Sequence, residues 1–489
     1  MRITTLFLIA SAAACGQIGH FQSNGDIGAP AKPGSTSFSK QTGEYRISAS
    51  GANIWAGRDS FHFASKPVSG DVEMTASIAW ATPGGHEHKK AGLMLRAGRD
   101  PGAPHASVMV HADGLVSLQF RRTRGGPTEE VRSALKSAAR IRLMRDGDVV
   151  SMEAAPAGGD FEPSAALTVA LGENVEAGLA VCSHDDNDLQ TAVISGFELK
   201  EHGTASAKER VVESTLEIVD ISTGRRRIVR RAAEHFEAPN WTQDGKTLVY
   251  NGGGKIWRIP VSGGTPVHIP TGEVRVNNDH GLSPDGKLMA VSGSVARSQS
   301  QIYVMPALGG EMRLVTPKAP SYWHGWSPDG KTLAYCASRG GEYDIYTIPV
   351  EGGEETRLTT AKGLDDGPEY SPDGRSIYFN SVRSGIMRIW RMKPDGSDQE
   401  MVSQGPPSAD WFAHPSPDGQ WLAYISYDAS VEGHPANKDV TLRLAPASGG
   451  APKTLVTLFG GQGTMNVPSW SPDSRSFAFV SYRLVKKRP

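Results

Sequence analysis

Six turns, WTQDGK, LSPDGK, WSPDGK, YSPDGR, PSPDGQ and WSPDSR, place an aspartate at positions 244, 285, 329, 373, 418 and 473. Aligned on that aspartate, the residues five places earlier are Pro239, His280, His324, Pro368, Ala413 and Pro468. Those four places earlier are Asn240, Gly281, Gly325, Glu369, His414 and Ser469. A position that serves only packing has no need for such variety. Four consecutive copies thus carry His280, His324, Glu369 and His414 at nearly one depth. Three imidazoles and a carboxylate converging on one point can act as general acid and base, which makes these four the candidate catalytic residues. His280, His324 and His414 are also suitable ligands for one divalent ion, manganese, zinc or calcium.

The elements that must hold them follow from the repeat. Successive aspartates are 41, 44, 44, 45 and 55 residues apart, and a unit of about 40–45 residues suits a four-stranded propeller blade. Residues three places before each aspartate are Trp241, Leu282, Trp326, Tyr370, Pro415 and Trp470, an apolar set expected to pack between blades. The last aspartate leaves room for two strands only, and STLEIVDI and RRIVRR upstream of the first repeat supply the missing pair. Closure of this kind gives six blades and no open edge. In such a blade the innermost strand lines the channel, and the loop leading into it shares a face with the loop between the second and third strands. Those second loops carry Arg297, Arg339 and Arg383, and the leading loops carry Tyr322, Asp366 and Trp411. Aromatic faces for sugars and guanidinium groups for carboxylates make these six the candidate ligand-binding residues, suited to an acidic oligosaccharide. The turn aspartates themselves are expected to hold their own turns.

The S-P-D-G turns, strands such as QIYVMP, DIYTIP and RIWRMK, and GG-x-x-x-R-L-T as in GGEETRLTT resemble the WD40-like repeats of the TolB propeller family over residues 212–489. That resemblance implies a six-bladed β-propeller and an envelope protein partner. Upstream, short alternating strands separated by Gly and Asp turns are expected over 36–202. ISASGANIWAGRDSFHF (47–63), GDVEMTA (70–76), AGLMLR (91–96) and the GLAVCSH and TAVISGFEL segments (178–199) resemble concanavalin-like jelly-roll modules. This implies an all-β chain with an N-terminal β-sandwich and a carbohydrate-binding role. The sandwich histidines His86, His88, His105, His111 and His184 look scattered along it. Residues 16–35 read as a flexible tether and 203–211 as a linker.

The first fifteen residues, MRITTLFLIASAAAC, have the charge, apolar run and small residues of an export signal. Cys15 resembles a lipoprotein cleavage site, which implies a lipid anchor as the only membrane contact. The expected location is extracytoplasmic: periplasm or outer membrane, or else secreted. Cys182 and Cys336 are expected to be free, buried thiols. A formal net charge of −1 argues against a general nucleic-acid binder. No G-x-S-x-G elbow, H-E-x-x-H pair or phosphate-loop spacing occurs. The leading expectation is an exported protein that recognises carbohydrate through its sandwich and propeller mouth. Two others stand beside it. One is a metal-dependent lyase or hydrolase of acidic oligosaccharides, since oligogalacturonate lyases are similar in repeat and have a histidine-rich centre. The other is an envelope scaffold of TolB type.

Overall fold

The computed structural model describes residues 17–81, 83–296, 298–403 and 405–487. Cys15 and Arg297 lie outside the described residues. Apart from one short 3-10 turn at Ala207–Glu209, every regular element described is a strand. Among the described residues no helix is long and apolar enough to cross a membrane. The chain divides into two compact units, Met1–Asp148 with Ala154–Phe161 and Val169–Thr204, and Val149–Glu153 with Glu162–Thr168 and Ala205–Pro489.

The first unit is built on two antiparallel sheets. One runs in the order Ser23–Ile27, Arg58–Ser69, Asn174–Cys182, Lys90–Arg96, His105–His111, Val116–Arg121 and Glu129–Arg132. The other contains, in order, Arg140–Asp146, Asp71–Trp80, Asp185–Gly203, Glu44–Gly51 and Ser35–Ser39. Strands Lys90–Arg96, His105–His111 and Val116–Arg121 are buried along their whole length, so both of their faces are covered. One face is apolar. The other carries Lys90, Arg96, His105, His111, Gln119 and Arg121, all buried. Such a face survives only if its polar groups are partnered. Asp59, fully buried, takes Arg121 through two oxygens at 2.7 and 2.8 Å and Arg96 at 2.6 Å. The tether expected over 16–35 is shorter than the sequence suggests: Ser23–Ile27 pairs with Phe61–Ser65. Phe21 and Ile27, each 1% exposed, supply the apolar burial that an otherwise polar segment needs to be held down.

The second unit is a six-bladed propeller. Five blades are four-stranded sheets with strands in chain order, and in the first of them Phe236–Trp241, Thr247–Gly252, Lys255–Pro260 and Val267–Ile269 run outward from the axis. The sixth is composite. Trp470 bridges Phe477, Ser476–Lys486 pairs with Arg210–Asp220, and Arg226–Ala232 completes the sheet. The N-terminal pair therefore closes the ring, and no blade edge along the seam is left open.

The repeated turns are scaffolding. In each, the turn aspartate accepts hydrogen bonds from the hydroxyl two places before it and from the backbone N–H two places after it, as with Ser283 Oγ (2.7 Å) and Lys287 N (3.1 Å) on Asp285. These bonds hold the Asp285 carboxyl down at about 2. The glycine after the aspartate lies at φ near +70° in five blades, a region open to Gly at little cost. The sixth blade has Ser474 there at φ +60°, and its hydroxyl accepts Asp418 N–H at 3.0 Å from the neighbouring blade's turn. Trp326 and Trp470 lie between blades as their position predicts. Their indole N–H groups donate to the Gly281 and His414 carbonyls at 3.0 and 2.8 Å.

Candidate functional site

Each of the five complete innermost strands carries a bulge. Pairing with the second strand slips between Glu237 and Asn240, Val276 and His280, Trp323 and Gly325, Asp366 and Glu369, and Trp411 and His414. A bulge leaves residues unpaired and re-aims their side chains. Six places before the turn aspartate, Ala238, Gly367 and Phe412 adopt φ of +56°, +60° and +52°. The bulges separate the channel into a deep layer and a mouth.

Glu369 and His414 form the deep layer. His414 Nδ1 lies 2.5 Å from Glu369 Oε2, and its Nε2–H donates to the Met465 carbonyl at 2.8 Å. Both imidazole nitrogens are therefore taken. Burial pushes the Glu369 carboxyl up, opposed by the His414 imidazole. His280 is fully buried. Its Nδ1–H donates to the Asn278 carbonyl at 3.1 Å, its Nε2 has no partner, and burial holds it at about 4, so it is neutral at pH 7.

The mouth is organised around Asp366. His324 Nε2 lies 3.2 Å from Asp366 Oδ1, and Gly367 N–H donates to the same oxygen at 2.7 Å. His434 Nε2 stands 4.0 Å from Oδ2. Burial opposes ionisation, yet these partners hold the Asp366 carboxyl at about 2. The His324 imidazole is raised despite burial, because Asp366 and Asp279 favour its charged form. Asp279, buried beside this pair, is pushed up to about 7 by burial and by the Asp366 charge. Two carboxyls in one pocket thus sit on opposite sides of their ordinary range. The pocket has a volume of about 300 Å³. Asn277, Asn278, Gln462 and Asn466 supply amides to its wall, and Tyr322, Tyr343 and Phe412 supply aromatic rings.

The sequence-derived residues divide accordingly. His324, Asp366 and Tyr322 line the mouth, while Glu369 and His414 pair beneath it and His280 stands apart. Trp411 is not in the lining. The bulge turns Phe412 into the channel in its place, and Trp411, 1% exposed, packs behind His434 at 4.5 Å between ring centroids. Arg339 is engaged by Glu355 at 2.9 and 3.0 Å, and its Nη1 donates to the Pro320 carbonyl at 2.8 Å. Arg383 is engaged by Asp365 at 2.7 Å. Both brace their own blades rather than present a free guanidinium. His280, His324 and His414 each face different partners, and no group of three or more His, Cys, Asp or Glu side chains arranged to hold a metal occurs among the described residues. A divalent ion on these three histidines does not fit the structure. Cys182 and Cys336 are free and buried.

His434, Tyr343, Gln462 and Asn466 are members of the mouth that the repeat alignment does not reveal. His434 comes from the loop between the second and third strands of blade five. Gln462 and Asn466 precede the short inner segment of blade six. The one signal in the sequence is the last spacing of 55 residues, longer than the others. In the first unit, four of the five histidines expected to be scattered lie together: His86, His88, His111 and His184 make ring contacts with centroids 4.2–6.2 Å apart. Cross-strand pairing is the reason, since Cys182 and His111 both stand opposite Lys90.

Six blades closed by an N-terminal strand pair around a polar channel mouth define a six-bladed β-propeller. Residues 318–445 match the TolB beta propeller domain. An uncharacterized protein of Agrobacterium fabrum is 50% identical over 273 residues, which are 55% of this chain and 93% of that one. A solved structure from Agrobacterium tumefaciens, provisionally named TolB, is 50% identical, with 56% of this chain and 99% of that one covered and a TM-score of 0.55. The chain belongs to the TolB-like β-propeller family. The crystal structure of TolB from Acinetobacter baumannii is 18% identical over 64% of this chain and 77% of that one, with a TM-score of 0.40.

Proposed function

We propose that this TolB-like protein is an exported, lipid-anchored carbohydrate-recognition protein, tethered through Cys15, whose propeller mouth holds a neutral saccharide unit. The first unit, read as a concanavalin-like module, serves as a second carbohydrate contact. The observation that carries the reading is the lining of the mouth pocket: two carboxyls, two imidazoles, four amides and three aromatic rings, with neither lysine nor arginine among the described residues of its wall. Sugar hydroxyls donate and accept at once, so carboxylate and amide groups suit them, and aromatic rings take the apolar face of a pyranose. Arg339 and Arg383 are occupied elsewhere and the charged form of His324 is already paired with Asp366, so among the described residues a carboxylate ligand meets no free cation there. The mouth itself therefore favours a neutral unit over an acidic one.

The test is calorimetric titration of the full chain with neutral mono- and disaccharides. Asp366→Asn keeps the shape of the side chain and removes the charged acceptor, so affinity is expected to fall by at least about tenfold, equivalent to roughly 1.4 kcal/mol. Unchanged affinity in the variant, or no neutral saccharide bound by the wild type, would overturn the reading. Family membership favours a second reading, an envelope scaffold that binds a protein partner. Its mark would be partner binding that no saccharide displaces and that Asp366→Asn leaves intact.

A further inference from the structure

Beside the mouth pocket, over blade one, lies a second and larger cavity of about 920 Å³. The two cavities share Asn277, Asn278 and Gln462 along a common rim. Their chemistry differs. The larger one contains Arg230, Lys255 and Arg275. Lys255 and Arg275 are exposed, and no ion pair or hydrogen bond engages either side chain among the described residues. Arg230 lies over the Phe236 ring at 4.8 Å and is ion-paired to Glu234 through Nη2, while its buried Nη1 has no partner. The backbone is shaped to admit Arg275. Gly253 and Gly254 take φ of +65° and +77°, and a Cβ on Gly254 would stand 2.7 Å from Arg275 Cγ. A bare glycine surface therefore lets this guanidinium lie along the cavity wall. The two acidic groups there, Glu234 and Glu237, do not neutralise the free cations. Glu234 already faces Arg230, and burial pushes Glu237 up to about 7.

We infer that this cavity is an anion subsite continuous with the mouth, and that the ligand is an acidic oligosaccharide: its neutral unit enters the mouth and its anionic substituent, carboxylate or phosphate, lies over blade one against Lys255 and Arg275. The inference deepens the proposed function and rests on it for the saccharide part. The anion part stands on the basic wall alone. Exposed cations of this sort recognise charge through a field that salt screens, so the preference for an acidic ligand is strongest at low ionic strength.

Three probes on the full chain separate the parts: inorganic phosphate, cellobiose, and cellobiouronic acid, in which a glucuronate replaces one glucose. They are titrated calorimetrically at low salt into the wild type and into a Lys255→Ala, Arg275→Ala double variant, whose changes fall on exposed side chains outside the mouth. The wild type is expected to bind cellobiouronic acid at least about tenfold more tightly than cellobiose. In the double variant that preference should vanish, phosphate binding should weaken by about tenfold or more, and cellobiose affinity should stay the same. Equal affinity of the wild type for the two disaccharides with no phosphate binding that the double variant weakens, or a preference or phosphate affinity that survives the double substitution, overturns the anion subsite. Phosphate binding that is sensitive to the double variant, with no binding of cellobiose, keeps the subsite and removes the saccharide reading of the mouth. A phosphate preference without any for the uronate identifies phosphate as the anionic group.

Discussion

Replacing Asp59 by alanine is expected to cost the first unit about 3–5 kcal/mol, the range for removing one partner of a buried ion pair. Asp59 is fully buried between two fully buried arginines, and three of their hydrogen bonds, at 2.6, 2.7 and 2.8 Å, end on its carboxylate. Arg121 has other acceptors, among them the Ala56 carbonyl at 2.8 Å, and Arg96 Nη2 has the Asp100 carbonyl at 2.6 Å. None of these carries a negative charge. The same face already holds Lys90, and His105 is kept well below its usual value by burial and by the charges of Arg96, Arg121 and Lys90. Without Asp59 the two buried arginines lose the one carboxylate they are ion-paired to, and Glu130, which faces Lys90, does not replace it. Hydrogen exchange followed by mass spectrometry should show protection lost first in Lys90–Arg96 and Val116–Arg121. A loss below about 1 kcal/mol would mean that carbonyl acceptors suffice, and the ion pair would then be dispensable.

Asp279→Asn is expected to act in the opposite direction and to depend on pH. The folded carboxyl sits near 7, well above the ordinary aspartate value. The native state therefore binds more protons than the unfolded state between about pH 4 and 7, and stability falls as pH rises through that window. Above it the chain carries the full cost of a buried carboxylate beside Asp366. Asparagine cannot ionise, so the variant should be more stable than the wild type at pH 8 by on the order of 2–4 kcal/mol, and close to it at pH 4. Urea unfolding at the two pH values reads the difference directly. A variant no more stable at pH 8 than at pH 4, each relative to wild type, would show that the Asp279 carboxylate is well solvated or well paired. A destabilising acid retained in a pocket is the pattern expected when a site is kept for binding rather than for stability.

How much of this was legible in the sequence depends on how local each feature is. The six turns, their aspartates and the tryptophans between blades are set by residues within one repeat, and the fixed offset from the turn locates them. The ring closure was legible because the strand count left two strands short at one end and two spare at the other. Above the bulges the same offset misleads. Asp366, Phe412 and Trp411 lie beyond an inserted residue, which is why Phe412 lines the mouth and Trp411 backs it. The partner of Arg339 precedes the outer strand of its own blade and that of Arg383 lies on the inner strand of its own blade, and no spacing rule pairs them. Likewise His86 and His184 meet only through strand pairing across almost a hundred residues of chain.

The composite sixth blade has a consequence in time. Strand Arg210–Asp220 is made long before its partner Ser476–Lys486; Glu217 and Ser481, bonded across that seam, are 264 residues apart. Until Ser476–Lys486 exists, Arg210–Asp220 pairs with Arg226–Ala232 alone and its other edge stays open, and joining segments so distant in sequence is intrinsically slow. A nascent or clipped chain that lacks Ser476–Lys486 is thus an open arc in which one edge of Arg210–Asp220 is bare, prone to joining a second copy. The arrival of Ser476–Lys486 is the step that lets this propeller close.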